Sequence, residues 1–123
     1  MSESPAVVLL CSDLMMTSTV SGAAAHAGLT FRTVAAPGQL SDCADDDLVI
    51  IDLASPGLNV TEAATALSDR QKRTAVIYGP HVQVDRFEQA RTAGFVNLLA
   101  RGQFNAEANQ IVSRFAESAT DST

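Results

Sequence analysis

Five runs of large apolar residues divide the chain, and each run ends at polar residues, glycine or proline. The runs at residues 6–11, 31–36, 48–53, 74–78 and 95–99 predict five strands. The third run has four consecutive large apolar residues, 48–51, three of them β-branched, and it is followed by Asp52. A strand without alternating polar positions is typical of the buried centre of a parallel sheet. The hydrophobic pattern therefore predicts that residues 48–53 form a central strand.

Segments with helical spacing follow the predicted strands. Residues 13–29, 59–68, 84–92 and 105–118 predict helices, and a weaker helix begins at Pro37, while residues 69–73 are predicted to be a solvated turn. Five alternations of strand and helix predict a three-layer α/β sandwich, with helices on both faces of a parallel sheet. Right-handed connections leave few topologies, and 2-1-3-4-5 is the commonest strand order at this length. We expect one domain over residues 6–118, a disordered segment at 1–5 and a frayed tail at 119–123.

Composition narrows the functional classes. The 123 residues are 46% apolar and 18% charged, with a net charge of −6, which excludes nucleic-acid binding by bulk electrostatics. No apolar run is long enough to span a membrane, and the first residues lack the basic segment of a signal peptide. Two isolated cysteines, Cys11 and Cys43, predict free thiols in a reducing compartment. These features together favour a cytoplasmic domain.

Two carboxylates are predicted to end neighbouring central strands. Asp13 follows the first strand and Asp52 ends the third, and in the predicted order these strands lie side by side. Open α/β sheets place their ligands at the carboxyl ends of the strands, where the strand order reverses. We therefore expect Asp13 and Asp52 to converge in one crevice.

Three segments resemble the receiver domain of bacterial response regulators, and the likeness extends over about residues 6–117. They are VIIDLASPGL, LLCSDLM and EQARTAGFVNLLARGQF. The resemblance implies a flavodoxin-like fold. It also implies that Asp52 holds the position of the phospho-accepting aspartate, and that the end of the first strand holds an acidic pair that binds magnesium.

Several site positions depart from the receiver pattern. Ser12 stands where one acid of the pair is implied, Gly79 where a serine or threonine is implied, and Arg101 in place of a lysine. With one acid missing, the implied magnesium site at Asp13 and Asp52 is weakened or lost. Gly79 removes the hydroxyl that senses a phosphoryl group, and the planar guanidinium of Arg101 does not reproduce the point charge of a lysine. Ser12, Gly79 and Arg101 are thus predicted pocket residues of a degenerate site.

These departures predict an atypical receiver domain that acts as a protein-interaction module, without normal aspartyl phosphotransfer. Such a domain is not an enzyme and requires no cofactor, although Mg²⁺ binding stays open. One alternative is a working phosphoacceptor domain, phosphorylated on Asp52 with Mg²⁺ in a two-component phosphorelay. Another is a small-ligand or nucleotide site in the same crevice.

The resemblance also implies partners and a docking face. The expected partner is a histidine kinase or another signalling protein, and a homodimer is a further option. Receiver-like domains commonly use the face of helix four, strand five and helix five, which here includes Arg86, Phe87 and Arg91. His81 is interpreted as the start of a helix, with a ligand role left open. The acidic residues at 42–47 either attract a basic partner or form a solvated rim.

Overall fold

A computed structural model of the chain describes residues 5–121. Its elements, in chain order, are β1 (Ala6–Leu10), α1 (Leu14–His26), β2 (Thr30–Val34), a 3₁₀ helix (Pro37–Asp42), β3 (Leu48–Asp52), α2 (Val60–Ala66), α3 (Asp69–Thr74), β4 (Val76–Gly79), α4 (Val84–Thr92), β5 (Asn97–Ala100) and α5 (Arg101–Asp121). The strands form one parallel sheet in the order β2-β1-β3-β4-β5. The predicted fold class and strand order are confirmed.

Alternate residues of the central strands point into two separate cores. On one face, the apolar residues of β1 and β3 pack against α1 and α5, with Val20, Phe104 and Val112 fully buried. On the other face, the intervening residues pack against α2 and α4. Because every residue of β3 is buried, no position of this strand tolerates a solvent-facing side chain. The uninterrupted apolar run in the sequence reflects this burial on both sides.

Several predicted boundaries are wrong. The short helix predicted to begin at Pro37 is present, and it is a 3₁₀ helix. The predicted turn at residues 69–73 is α3, which the Ser68 hydroxyl caps while the side chain of Gln71 accepts from the Ser68 amide. The last helix begins at Arg101 rather than at residue 105, and it continues to Asp121, past the predicted end at 118. The predicted disorder at residues 1–4 and the tail at 122–123 lie outside the described residues.

The amino end of β3 carries a buried acid. Asp47 is 7% exposed, and its two carboxylate oxygens accept from the backbone amides of Ala6 and Ala44, each at 2.9 Å. This aspartate therefore ties β1 and the loop before β3 together. The interpretation of the acidic cluster as a solvated rim holds for the exposed Asp42, Asp45 and Asp46 and is wrong for Asp47.

Within residues 5–121, no helix combines the length and the apolar character that crossing a membrane requires.

Candidate functional site

The crevice lies at the carboxyl edge of the sheet, and Asp52 is at its base. Asp52 is the last residue of β3 and is 5% exposed. On one side its strand pairs with β4, where Tyr78 is the partner of Asp52. On the other side Leu10 pairs with Ile51, so the next residue along the chain, Cys11, lies beside Asp52. Neighbouring strands thus deliver three polar side chains to one place.

The Asp52 carboxylate has two unequal contacts. Its Oδ1 accepts a hydrogen bond from the backbone amide of Ala54 at 2.8 Å. Its Oδ2 accepts from the thiol of Cys11, with the sulfur at 3.4 Å. Among the described residues, no lysine or arginine forms an ion pair with Asp52. One carboxylate oxygen of the crevice therefore depends on a thiol, which is a weak donor.

Cys11 is the centre of a small polar cluster. Its sulfur accepts from the phenol of Tyr78 and from the backbone amide of Asp13, both at 3.2 Å. Burial is the main cause that raises the pKa of the Cys11 thiol, and the negative charge of Asp52 acts in the same direction. Cys11 is therefore a neutral thiol at neutral pH.

Tyr78 closes the base of the crevice. It is fully buried, and its ring stacks on Phe104 of α5, with the ring centroids 4.4 Å apart and the planes at 3°. Burial raises the pKa of the phenol, and the hydrogen bond to Cys11 and the charge of Asp52 add to the effect. The Tyr78 hydroxyl is thus a fixed neutral donor that holds the Cys11 sulfur in position.

Asp13 caps α1 and also pairs with Arg101. Its Oδ1 accepts from the amides of Met15 at 2.9 Å and Met16 at 3.4 Å, and its Oδ2 accepts from the guanidinium of Arg101. Partial desolvation raises the pKa of the Asp13 carboxyl, but these amides and Arg101 outweigh it and lower the pKa overall. From the β1 side, Cys11 is the residue that donates a hydrogen bond to Asp52, and a joint site of Asp13 and Asp52 stays a prediction.

Arg101 and Gly79 occupy the remaining predicted pocket positions. Arg101 is the first residue of α5 and pairs with Asp13, which leaves Asp52 without a cation. At Gly79 an added Cβ would lie 2.9 Å from the Cβ of Leu53, closer than real side chains approach. A side chain at residue 79 would therefore require Leu53 or the backbone of β4 to shift. Ser12 is exposed between Cys11 and Asp13, and the α1 cap is Asp13 rather than Ser12.

The donors of this crevice do not fit a magnesium ion. Mg²⁺ prefers several hard oxygen ligands in octahedral geometry. Here the neighbour of Asp52 is a neutral sulfur, and the oxygens of Asp13 are already held by amides and a guanidinium. Nowhere in residues 5–121 do three or more histidine, cysteine or acidic side chains cluster so that they could hold a metal ion.

The predicted docking face is only partly free. Arg91 is exposed and pairs with Glu88 on the same helix, and Phe87 is half-buried against the core. Arg86 is half-buried, and its guanidinium donates to the carbonyls of Leu53 and Leu58. His81 is exposed in the segment between β4 and α4. Of the three residues predicted for this face, Arg91 alone is exposed.

Sequence reasoning missed an apolar surface next to the crevice. Leu14 and Met15 open α1 directly after Asp13, and they are 84% and 79% exposed. Val82 and Val84, near the start of α4, are also exposed. The helical periodicity of the sequence could have predicted this exposure. Leu14 and Met15 lie outside the stripe of α1 that packs on the sheet, which consists of Met16, Val20, Ala23 and Ala24.

Solved structures share this fold across the whole chain. A CheY-like receiver domain from Methanospirillum hungatei matches with a TM-score of 0.74 at 10% identity, over 98% of this chain and 100% of the other. The receiver domain of a sensor histidine kinase from Pseudomonas aeruginosa, solved with magnesium in its active-site cleft, matches at 0.69 and 17%, over 94% and 99%. A phosphorylated cyanobacterial phytochrome response regulator matches with a TM-score of 0.69 at 14% identity, over 98% of this chain and 97% of the other.

These matches define the class by fold. The structure of this chain matches the receiver domains of response regulators, as the sequence resemblance implied. At identities of 10% to 17% the likeness is one of architecture, and the chemistry of the crevice is argued from this chain's own residues. Neither a family model nor a curated protein matches the sequence.

Proposed function

We propose that this chain is an atypical receiver domain of a bacterial two-component system, which acts as a protein-interaction module without normal aspartyl phosphotransfer. The observation that carries the proposal is the Cys11 thiol 3.4 Å from the Asp52 carboxylate. A receiver that accepts a phosphoryl group needs acidic neighbours for Asp52 at this place, because they hold the metal. A neutral thiol supplies neither the charge nor the hard oxygen ligand.

Asp13 and Arg101, the other two charged residues at the crevice, form an ion pair with each other. Phosphoryl transfer develops negative charge on the phosphoryl oxygens, and a cation must neutralise it. Arg101 holds the position that the receiver resemblance gives to a lysine, and it pairs with Asp13 at the start of α1. An incoming phosphoryl group would have to break this pair before Arg101 could assist.

The residue at the end of β4, Gly79, also argues against a response to phosphorylation within the domain. A hydroxyl at residue 79 would be needed to follow a phosphoryl group, and Gly79 has no side chain. An added Cβ would lie 2.9 Å from the Cβ of Leu53, so a side chain at this position would require Leu53 or the backbone to shift. The crevice therefore lacks both a means to take up the phosphoryl group and a means to report it.

The exposed apolar residues beside the crevice support the role in protein binding. Leu14 and Met15 place large apolar side chains in solvent at the start of α1. Exposed apolar clusters of this kind are typical of protein-interaction sites. A signalling protein such as a histidine kinase is the partner class that we propose, with Arg91 as a further contact on α4.

Radiolabelled acetyl phosphate with Mg²⁺ tests the proposal. We expect no incorporation above that of Asp52→Asn, because the natural chain and the variant both lack a competent site. Incorporation that depends on Asp52 and Mg²⁺ would contradict the proposal. A receiver domain known to autophosphorylate, treated in parallel, controls for the reagent.

One observation favours the alternative of a working phosphoacceptor. Among the described residues, the Cys11 thiol is the donor to the Oδ2 of Asp52, so no strong donor from this part of the chain blocks the oxygen. Beryllofluoride with Mg²⁺ separates the two functions, because it imitates a phosphoryl group on aspartate. Backbone amide shifts of residues 52–55 that change in the natural chain and stay unchanged in Asp52→Asn would establish the alternative. Unchanged shifts in both proteins support the interaction module.

A further inference from the structure

Arg86 connects α4 to the segment that follows Asp52. One guanidinium nitrogen, Nη1, donates to the carbonyl of Leu53 at 3.1 Å and to the carbonyl of Leu58 at 3.4 Å. These carbonyls lie at the two ends of residues 53–58, which we call the Asp52 loop. A single side chain of α4 thus holds both ends of this loop. In the described part of the chain, no carboxylate forms an ion pair with Arg86.

The Asp52 loop is attached to the crevice by its other hydrogen bonds. The amide of Ala54 donates to the Asp52 side chain at 2.8 Å, and the amide of Ser55 donates to the Asp52 carbonyl at 3.1 Å. The amide of Leu58 donates to the carbonyl of Ser55 at 3.2 Å and closes the loop. A change in the Asp52 side chain must therefore alter the position of Ala54 and the turn that follows it.

The first turn of α4 has few other polar attachments. Its cap residue, Gln83, makes no side-chain capping bond. The preceding residues His81 and Val82 are exposed, and Gly79 offers no side chain toward the crevice. Apolar packing of Phe87 and Ala90 also holds α4, but such packing is not directional. The two Arg86 hydrogen bonds are thus the directional contact between α4 and the Asp52 loop.

We infer that Arg86 is a positioning residue that couples the Asp52 loop to α4. A displacement of the loop at Asp52 moves the carbonyls of Leu53 and Leu58, and the guanidinium transmits this displacement to the first turn of α4. The coupling needs no hydroxyl at residue 79. It goes beyond the proposed interaction role, because it links the crevice to α4 whether or not Asp52 is ever modified.

Amide hydrogen exchange in a double-mutant cycle tests the coupling. Asp52→Ala removes the acceptor of the Ala54 amide and loosens the loop. We expect exchange of the Ser55 and Leu58 amides, and of the α4 amides from Phe87 onward, to become roughly tenfold faster, the factor that corresponds to losing one or two hydrogen bonds. In an Arg86→Met background, we expect Asp52→Ala to accelerate the loop amides and to leave the α4 amides unchanged.

A merely structural role of Arg86 predicts a different result. Arg86→Met would then raise α4 exchange by itself, and Asp52→Ala would add the same factor in both backgrounds. That additivity, or an absence of any α4 response to Asp52→Ala in the natural chain, would overturn the inference. Arg86→Lys keeps a donor of similar reach, and we expect it to retain part of the coupling, which covers the case in which Arg86→Met fails to fold. Gln89→Met, on the same helix and exposed, is the matched control and leaves the response intact.

Discussion

Two buried aspartates mark the two ends of β3, and their surroundings differ. Asp47, before the strand, is 7% exposed, and Asp52, at its end, is 5% exposed. Both oxygens of Asp47 accept from backbone amides at 2.9 Å. Asp52 has one such amide, and its second oxygen accepts from a thiol. The two aspartates are therefore buried to a similar degree, but Asp47 accepts from two backbone amides and Asp52 from one.

The difference separates a structural carboxylate from an available one. A buried carboxylate with both oxygens bound to backbone amides is a tie between chain segments. Asp52, at the carboxyl end of a central strand, has one oxygen bound to an amide and the other to a thiol, and among the described residues no cation pairs with it.

The largest expected effect is the loss of stability at Asp47. Asp47→Ala leaves two amides without their acceptor, and we expect it to lower the free energy of unfolding by about 2–4 kcal/mol. Asp47→Asn keeps one oxygen acceptor, and we expect its free energy of unfolding to lie between those of the natural chain and Asp47→Ala. Asp52→Ala removes one amide contact and is expected to cost less than about 1 kcal/mol. Urea unfolding measures all three variants, and equal losses at Asp47 and Asp52 would remove the contrast.

Gly79 tests whether the crevice can take back a hydroxyl. Gly79→Thr places a Cβ 2.9 Å from the Cβ of Leu53, and we expect it to destabilise the domain by about 1–3 kcal/mol. Gly22→Ala is the control, because an added Cβ there meets nothing within 4 Å and lies within α1. We expect that variant to be more stable by about 0.5–1 kcal/mol. A Gly79→Thr protein as stable as the natural chain would show that the end of β4 is open.

The variant Arg101→Met tests the ion pair between Arg101 and Asp13. The folded pKa of Asp13 lies below the ordinary value of an aspartate carboxyl in the unfolded chain. Its contribution to stability is therefore present above that value and is lost as the pH falls through the folded pKa. In Arg101→Met we expect the Asp13 pKa to rise toward the ordinary value but to stay below it, because the amides of Met15 and Met16 remain. An NMR titration of the Asp13 carboxyl measures this, and an unchanged pKa would show that the ion pair does not form in solution.

The smallest effect on stability is expected at the exposed apolar residues. Leu14→Ser replaces a side chain that is 84% exposed, and we expect the free energy of unfolding to change by less than about 0.5 kcal/mol. Val20→Ser, on the buried stripe of the same helix, is the contrast and should be strongly destabilising. Thermal unfolding distinguishes them. A large loss at Leu14 would mean that this residue packs within the domain and does not form part of a docking surface.

Most of the fold could be predicted because its signals are local. The uninterrupted apolar run of β3 and the alternation of strand and helix indicate a parallel sheet, and handedness then limits the strand order. The helix α3 could also have been found, because Ser68 followed by Gln71 three residues later is a capping box. The run of charged residues 69–73 concealed it, since these side chains lie mostly on the solvent side.

The side chains of the crevice were harder to predict, because the residue at which β1 ends decides which side chain reaches Asp52. The sequence placed Cys11 inside β1, where it reads as one more apolar residue, and this left Ser12 and Asp13 as the crevice pair. The strand ends at Leu10, so Cys11 reaches Asp52 and Asp13 caps α1. Side chains alternate in direction along a strand and turn again at a helix start, so a shift of one residue exchanges the groups that face the crevice. The register between β1 and β3 fixes this choice, and it is not local in sequence.

Magnesium-dependent stability tests the central claim, that a neutral thiol stands where the crevice needs a second acid. A ligand that binds only the folded state raises its melting temperature. We predict that Mg²⁺ leaves the melting temperature of the natural chain unchanged beyond the effect of the same ionic strength of Na⁺. In Cys11→Asp, which places a carboxylate beside Asp52, we predict that Mg²⁺ raises it. Specific stabilisation of the natural chain by Mg²⁺, abolished by Asp52→Asn, would contradict the account.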